Sequence, residues 1–268
     1  MATSILQHPD SPSPVYTGQL IHPELCQGQD VAGCHVRELL AAGRGSNMIT
    51  ALRVDLPPGR VWSPAAFDLE TIVVVFNGRG ELHLGQEHHA LLPASTAYAP
   101  TGTPFRLSAV PTFPLTVYLW RASLLPDRRP SRSPLLVSTL WDETTSFRPK
   151  VGENETMAPA TMHFLHWPGT GSPLLCLHCG IQQPGQMFPV HVHLRSEELF
   201  IAFRGEGDCF LNGKWQPMVA GDALYAPSGL LHGVRNAKPD GEPFVTCGGP
   251  TPFDPVLYRL ADLSPEVK

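Results

Sequence analysis

The chain has little that would build a helical, membrane or nucleic-acid-binding protein. Helix signals are sparse: only Arg37–Ala42 and Pro255–Leu263 read as short helices, and the remainder lacks the 3.6-residue apolar period. No apolar run approaches the length of a membrane span. The N-terminal Met-Ala-Thr-Ser-Ile-Leu-Gln-His-Pro-Asp lacks the basic and apolar regions of a secretory signal, so a cytoplasmic location is expected. Formal net charge is −5, and the one basic cluster, Arg128-Arg129-Pro130-Ser131-Arg132, is too brief for a nucleic-acid surface. Cysteines number six and are scattered, which excludes a small disulfide scaffold. Cys176-Leu177-His178-Cys179 is the one close pair. Its flanks read as a strand, where residues three apart face opposite sides, so reduced packing cysteines are expected there. A Ser-His-Asp grouping, a phosphate loop and a dinucleotide fingerprint are all missing.

What the chain does have is turns. Its 29 prolines and 24 glycines are spread along 268 residues, as many short strands joined by tight connections require. Within them lies one dense pattern: Gly185, His191, His193, Glu198 and Gly205, then Gly221, Pro227, Gly229, His232 and Asn236. On a strand, residues two apart share a side, so His191 and His193 can grip one ion together. Glu198 follows after a turn and returns a carboxylate from the next strand. His232 closes the set after the Pro227-Ser228-Gly229 turn. Three imidazoles and one carboxylate suit Fe, Mn, Ni, Zn or Cu, and an octahedral ion so held keeps two positions open for ligands. The expected cofactor is one divalent transition metal ion on His191, His193, Glu198 and His232, and the expected partner is a small-molecule substrate.

The spacing G-x5-H-x-H-x4-E-x6-G followed by G-x5-P-x-G-x2-H-x3-N resembles both halves of the cupin signature, with all ten fixed positions filled. That resemblance implies an all-β fold of jelly-roll, double-stranded β-helix barrels.

The pattern has a second copy. Glu70-Thr71 through Gly78 and Gly80 mirrors Glu197-Glu198 through Gly205 and Gly207, and Tyr98-Ala99-Pro100-Thr101-Gly102 mirrors Tyr225-Ala226-Pro227-Ser228-Gly229. The offset is 127 residues throughout, so a whole domain is repeated and the chain resembles a bicupin. The expected division is residues 1–130 for an N-terminal barrel and 131–268 for a C-terminal one, with 125–134 as linker. At the ligand positions the first copy has lost its chemistry: Thr71 stands for Glu198, Phe105 for His232, and Pro64 and Ala66 for the paired histidines. His83, His88 and His89 fall around Gly85-Gln86-Glu87 and read as a solvated turn. The N-terminal barrel is therefore expected to bind no metal and to serve packing, as a lid or a dimer surface. Exposed sheet edges make a homodimer the expected assembly.

Strand parity puts Phe200 and Ala202 on the face of Glu198, and Met187 and Pro189 on that of the two histidines. This describes an apolar pocket around a metal. A silent first barrel beside an equipped second one, together with the stretch 211–222, resembles the ureidoglycine aminohydrolase-type bicupins. That resemblance implies a hydrolytic enzyme on a small organic acid or amide. That family carries a mixed Glu, His, His and Gln set. The set found here, three histidines and one glutamate, resembles that of dioxygenases, oxalate-type decarboxylases and sugar isomerases among cupins. A metal-braced structural or small-molecule-binding protein is the remaining class.

Overall fold

The computed structural model describes residues 16–125, 127–149 and 156–254. Among these the regular structure is strand, with two single-turn 3-10 segments at Pro23–Leu25 and Pro168–Thr170. The segment Pro255–Leu263, expected as a short helix, lies outside the described residues. The other expected helix is corrected. Cys34–Leu40 is a strand, hairpinned to Gly28–Val31 through Ala32-Gly33 and paired on its other side with Thr50–Leu56. Ala32 and Gly33 both have positive φ, 55° and 76°, as a two-residue hairpin turn requires. The hairpin and the neighbouring strand override the helix preference of Glu-Leu-Leu.

Each half of the chain forms one large and one small sheet. In the first half, Ser95–Ala99, Glu70–Gly78, Leu115–Ala122, Thr50–Leu56, Cys34–Leu40 and Gly28–Val31 lie side by side. Facing them are Val61–Trp62, Phe105–Ala109, Gly80–Leu84 and Glu87–Leu91. In the second half the large sheet runs Ala223–Ala226, Glu197–Arg204, Phe244–Thr251, Leu177–Gln182, Thr161–His166 and Ser146–Phe147. Its small partner is Ala158–Pro159, Gln186–His191, His232–Asn236, Glu206–Leu211 and Lys214–Val219. Each large sheet also gains an edge strand from elsewhere in the chain. Gln19–Ile21 pairs with Ala223–Ala226, and Val137–Thr139 pairs with Ser95–Ala99. The chain thus forms two jelly-roll barrels with crossed outer strands.

Burial explains the unbroken apolar runs. In the first barrel Val73 and Val75 point into the barrel while Ile72 and Val74 point to the other half. In the second, Phe200 and Ala202 point inward while Leu199 and Ile201 meet Ile72, Tyr118 and Trp120 across the joint. Both faces of these strands are buried, so the hydrophobic-polar alternation of a half-exposed strand is lost. Three cores result: one in each barrel and one between the two large sheets. The repeated glycines have a shared cause. Gly78 and Gly205 have φ of 89° and 75°, and a Cβ there would lie 1.9 Å from Pro114 O and 2.5 Å from Pro243 O respectively.

His83, His88 and His89 do not lie in a turn. Only Gly85-Gln86 forms the bend, and the histidines stand on the two strands of the hairpin, His83 opposite His88. Their rings are 4.1 Å apart, with Arg106 Nη2 3.4 Å from His83 Nδ1. His83 alternates with the inward Leu82 and Leu84, so it and His88 face away from the barrel interior, while His89, opposite Leu82, stands on the other face of the hairpin with Nε2 3.0 Å from Glu87 Oε2.

Candidate metal centre

Three strands and two loops of the C-terminal barrel bring the site together. His191 ends the strand Gln186–His191, opposite His232, which opens His232–Asn236. Glu198 is the second residue of Glu197–Arg204, a strand buried on both faces. His193 lies past the end of its strand, in the segment before Glu197. The shared-strand argument for His191 and His193 is corrected to that extent. His193 is held instead by the Pro227-Ser228-Gly229 turn: Gly229 N donates to His193 O at 2.8 Å, and Ser228 Oγ donates to Leu194 O at 2.6 Å.

Glu198 is the centre of the group. Its Oε2 lies 2.7 Å from His232 Nε2, 3.1 Å from His193 Nε2 and 3.6 Å from His191 Nε2. One ligand atom from each of the four residues falls within 4.8 Å of all the others, and among the described residues this is the single group of the kind. Glu198, His193 and His232 are almost fully buried. His191 Nδ1 lies 2.9 Å from Pro189 O, and His232 Nδ1 lies 2.8 Å from Leu230 O. Each Nδ1–H donating to its carbonyl fixes the tautomer that leaves Nε2 with a free lone pair facing Glu198. His193 Nδ1 is 3.5 Å from Asp254 Oδ2, a weaker form of the same support. Four nitrogen and oxygen donors converging in a buried pocket, with two tautomers already set, fit a divalent transition metal.

Electrostatics follow the same layout. Burial alone would raise the Glu198 carboxyl, but hydrogen bonds with four histidines outweigh it and hold it well below the usual range. Burial and the neighbouring His232 push His191 down to about 4. For His193, burial is outweighed by Asp254 and Glu198, which raise it to about 9.

The fourth histidine of that set is His178, whose place here the sequence reading missed. Its Nε2 lies 3.3 Å from Glu198 Oε1, the oxygen turned away from the other three imidazoles. The signal was in the strand period: His178 shares parity with Cys176, whose thiol is in the barrel core, while Cys179 packs in the core between the barrels. The two cysteines face opposite sides as expected, and burial raises both thiols. A cavity of about 20 Å³ opens beside Glu198 and His191, with Phe188, Phe200, Val234 and Met162 as its apolar wall. Phe200 is there as parity predicts. On the other strand the register shifts between Phe188 and His191, so Phe188 rather than Met187 shares the cavity with His191. At the corresponding positions of the first barrel, Thr71 and Phe105 are buried, Thr71 accepting from Arg121 Nε at 3.3 Å and Phe105 packing edge-on to Phe67.

Residues 181–244 match the family model of the cupin domain. No curated protein sequence matches the chain. Among solved structures, a putative glyoxylate-induced protein from Pseudomonas aeruginosa has 14% identity and a TM-score of 0.71, over 91% of this chain and 93% of that one. Protein Ylba from E. coli has 14% identity and a TM-score of 0.68, over 90% and 94%. A single-site variant of oxalate decarboxylase from Bacillus subtilis has 12% identity and a TM-score of 0.65, over 97% and 88%. At such identities these likenesses speak for the fold, and the finer resemblance to the aminohydrolases is not carried by them. The C-terminal barrel therefore contains a cupin domain, in which three histidines and one glutamate converge, and the described chain has the two-barrel jelly-roll fold of the solved structures it resembles.

Proposed function

We propose that the protein is a metal-dependent bicupin enzyme acting on a small polar metabolite, an organic acid or amide, with the ion on His191, His193, Glu198 and His232. The observation that carries this reading is the convergence of four donors within 4.8 Å of one another beside a small, largely apolar cavity. A structural brace needs no cavity beside the ion, whereas the one here, about 20 Å³, leaves room for a water-sized ligand next to the donors. A divalent ion held there supplies a Lewis acid, and a redox-active one also exchanges electrons. The chain's own residues do the rest. His178 holds Oε1 of Glu198, leaving Oε2 toward the other three imidazoles. Pro189 O and Leu230 O keep two imidazoles in the ligating tautomer, and Phe188 and Phe200 exclude water. The first barrel supports the second and carries no ion.

The ligand set itself favours a second reading, an Fe(II)-dependent dioxygenase, over the aminohydrolase-like one. Protein purified without an affinity tag is expected to carry one equivalent of metal, measured by inductively coupled plasma mass spectrometry. His191→Ala and His232→Ala should lose it, while Thr71→Ala should keep it. Oxygen uptake with substrate then separates the two chemistries: an iron dioxygenase stops without O2, and a hydrolase or isomerase does not. Metal content unchanged in both histidine variants would overturn the proposal.

A further inference from the structure

The strand Leu177–Gln182 carries His178, Gly180 and Gln182 on one face, which closes the polar side of the cavity beside Glu198. Gln182 is fully buried, and among the described residues neither its Oε1 nor its Nε2 has a hydrogen-bond partner. Leaving both ends of a primary amide unpaired in a dry interior is costly, and native proteins rarely do so without a functional reason. Its surroundings are arranged around it. A Cβ on Gly180 would lie 2.6 Å from Gln182 Nε2 and 3.1 Å from Thr246 Oγ1. The missing side chain at position 180 is what lets the amide lie there, beside the threonine hydroxyl. The other walls are apolar: Met162, Phe188 and Phe200. One donor and one acceptor therefore stand together in an apolar pocket that also reaches the metal-ligand group.

We propose that Gln182 is a specificity-determining residue that binds the terminal carboxamide of a small substrate whose other end reaches the metal centre. The inference rests on the proposed function and names its substrate class. A carboxamide presents an N–H and a carbonyl oxygen side by side, so it donates to Gln182 Oε1 while accepting from Nε2. A carboxylate only accepts, and would leave Oε1 facing an oxygen. A site built for a hydrogen-bonding partner rejects the analogue that lacks the bond far more strongly than an apolar pocket rejects a change in size. At about 20 Å³ the cavity as it stands has room for roughly one water-sized group, so a carboxamide enters with movement of the apolar wall, and rings are excluded.

The test uses oxamate and oxalate, which have one shape and differ by an amide in place of a carboxylate. Binding to the metal-loaded protein is measured by calorimetry for wild type, Gln182→Leu and Gln182→Met. Wild type should prefer oxamate by roughly tenfold or more, as one unpaired buried acceptor implies. Both variants should keep their metal and bind the two probes within about threefold of each other. In a second arm, acetamide and acetate are added to metal-free protein and the melting temperature is followed. Acetamide should raise it in wild type and in neither variant. This arm reads Gln182 even if wild type proves to hold no metal, which would sink the metal reading alone. Oxalate bound as tightly as oxamate, or variants that discriminate as wild type does, would overturn the assignment and leave Gln182 as the partner of a structural water.

Discussion

Glu198 shows how one residue can set the character of a site. Among the described residues it is the only carboxylate in contact with His178, His191, His193 and His232 together, and burial removes the water that would otherwise screen it. Glu198→Gln removes the negative charge while keeping the shape. The expected result is metal affinity weakened at least tenfold, about 1.4 kcal/mol, in a competition titration against a chelator. Turnover on an identified substrate should fall by more than tenfold. A variant with full affinity would show that the imidazoles alone hold the ion. The four residues that converge were legible in the sequence as a candidate set because spacing along strands and turns is a local property. For His178 and Gln182 the strand period gives only the face they share, and their meeting with Glu198 depends on which strands the fold brings together. Phe188 was missed for a second reason: the irregularity before His191 breaks the two-residue count, and nothing in Pro189-Val190 announces it.

At the level of strands and loops, the repeat carries a second device beside the group of three histidines and one glutamate. Glu197, the neighbour of Glu198, points the other way and accepts from the backbone of the first barrel. Asn47 N donates to its Oε2 at 2.9 Å, and Met48 N and Ile49 N donate to its Oε1 at 2.8 Å. Tyr225 Oη also donates to Oε2, at 2.9 Å. Glu70 is the counterpart in the first barrel, taking Tyr98 Oη at 2.9 Å and Ser172 Oγ of the second at 2.8 Å. Each barrel thus reaches into a loop of the other with the same residue of the repeat. The two are not equally well served. Both oxygens of Glu197 are hydrogen-bonded, whereas among the described residues Glu70 Oε2 lacks a well-formed partner, and burial raises the Glu70 pKa. Replacing Glu197 by Gln forces an NH2 against donors already pointing at it. A loss of about 2–4 kcal/mol is expected in urea unfolding, against a smaller loss for Glu70→Gln. Equal losses would contradict the asymmetry. The mirrored pairs Glu70 with Tyr98 and Glu197 with Tyr225 were visible in the sequence as repeated letters. Their purpose was not, because a residue facing a neighbouring barrel and one facing its own core leave the same mark in a single strand.

On the scale of the whole molecule the two barrels are joined by their large sheets, and the joint contains a buried base. His166, on Thr161–His166 of the second barrel, lies 3.0 Å through Nε2 from Thr96 Oγ1 of the first and stacks on Tyr98, their rings 6.1 Å apart. The crossed strands Gln19–Ile21 and Val137–Thr139 tie the same joint, so opening it is not a local event. Burial lowers the His166 pKa to about 4, outweighing the Leu135 carbonyl and the charge of Asp142. Its ordinary value is 6.5, so the unfolded chain binds the proton more readily than the folded one between these two pH values. The sign follows: stability is unaffected above pH 6.5, falls as pH drops below it, and levels off near pH 4 once the folded form also takes the proton. A shift of this size corresponds to roughly 2–4 kcal/mol. Glutamine at position 166 keeps a donor and an acceptor for Thr96 and does not titrate. Between about pH 7 and pH 4, wild type should therefore lose roughly 2–4 kcal/mol more than His166→Gln, with the other histidines cancelling in the difference. Denaturant unfolding at several pH values measures it. Parallel curves for the two proteins would mean that His166 is not the group through which acid reaches the joint between the barrels.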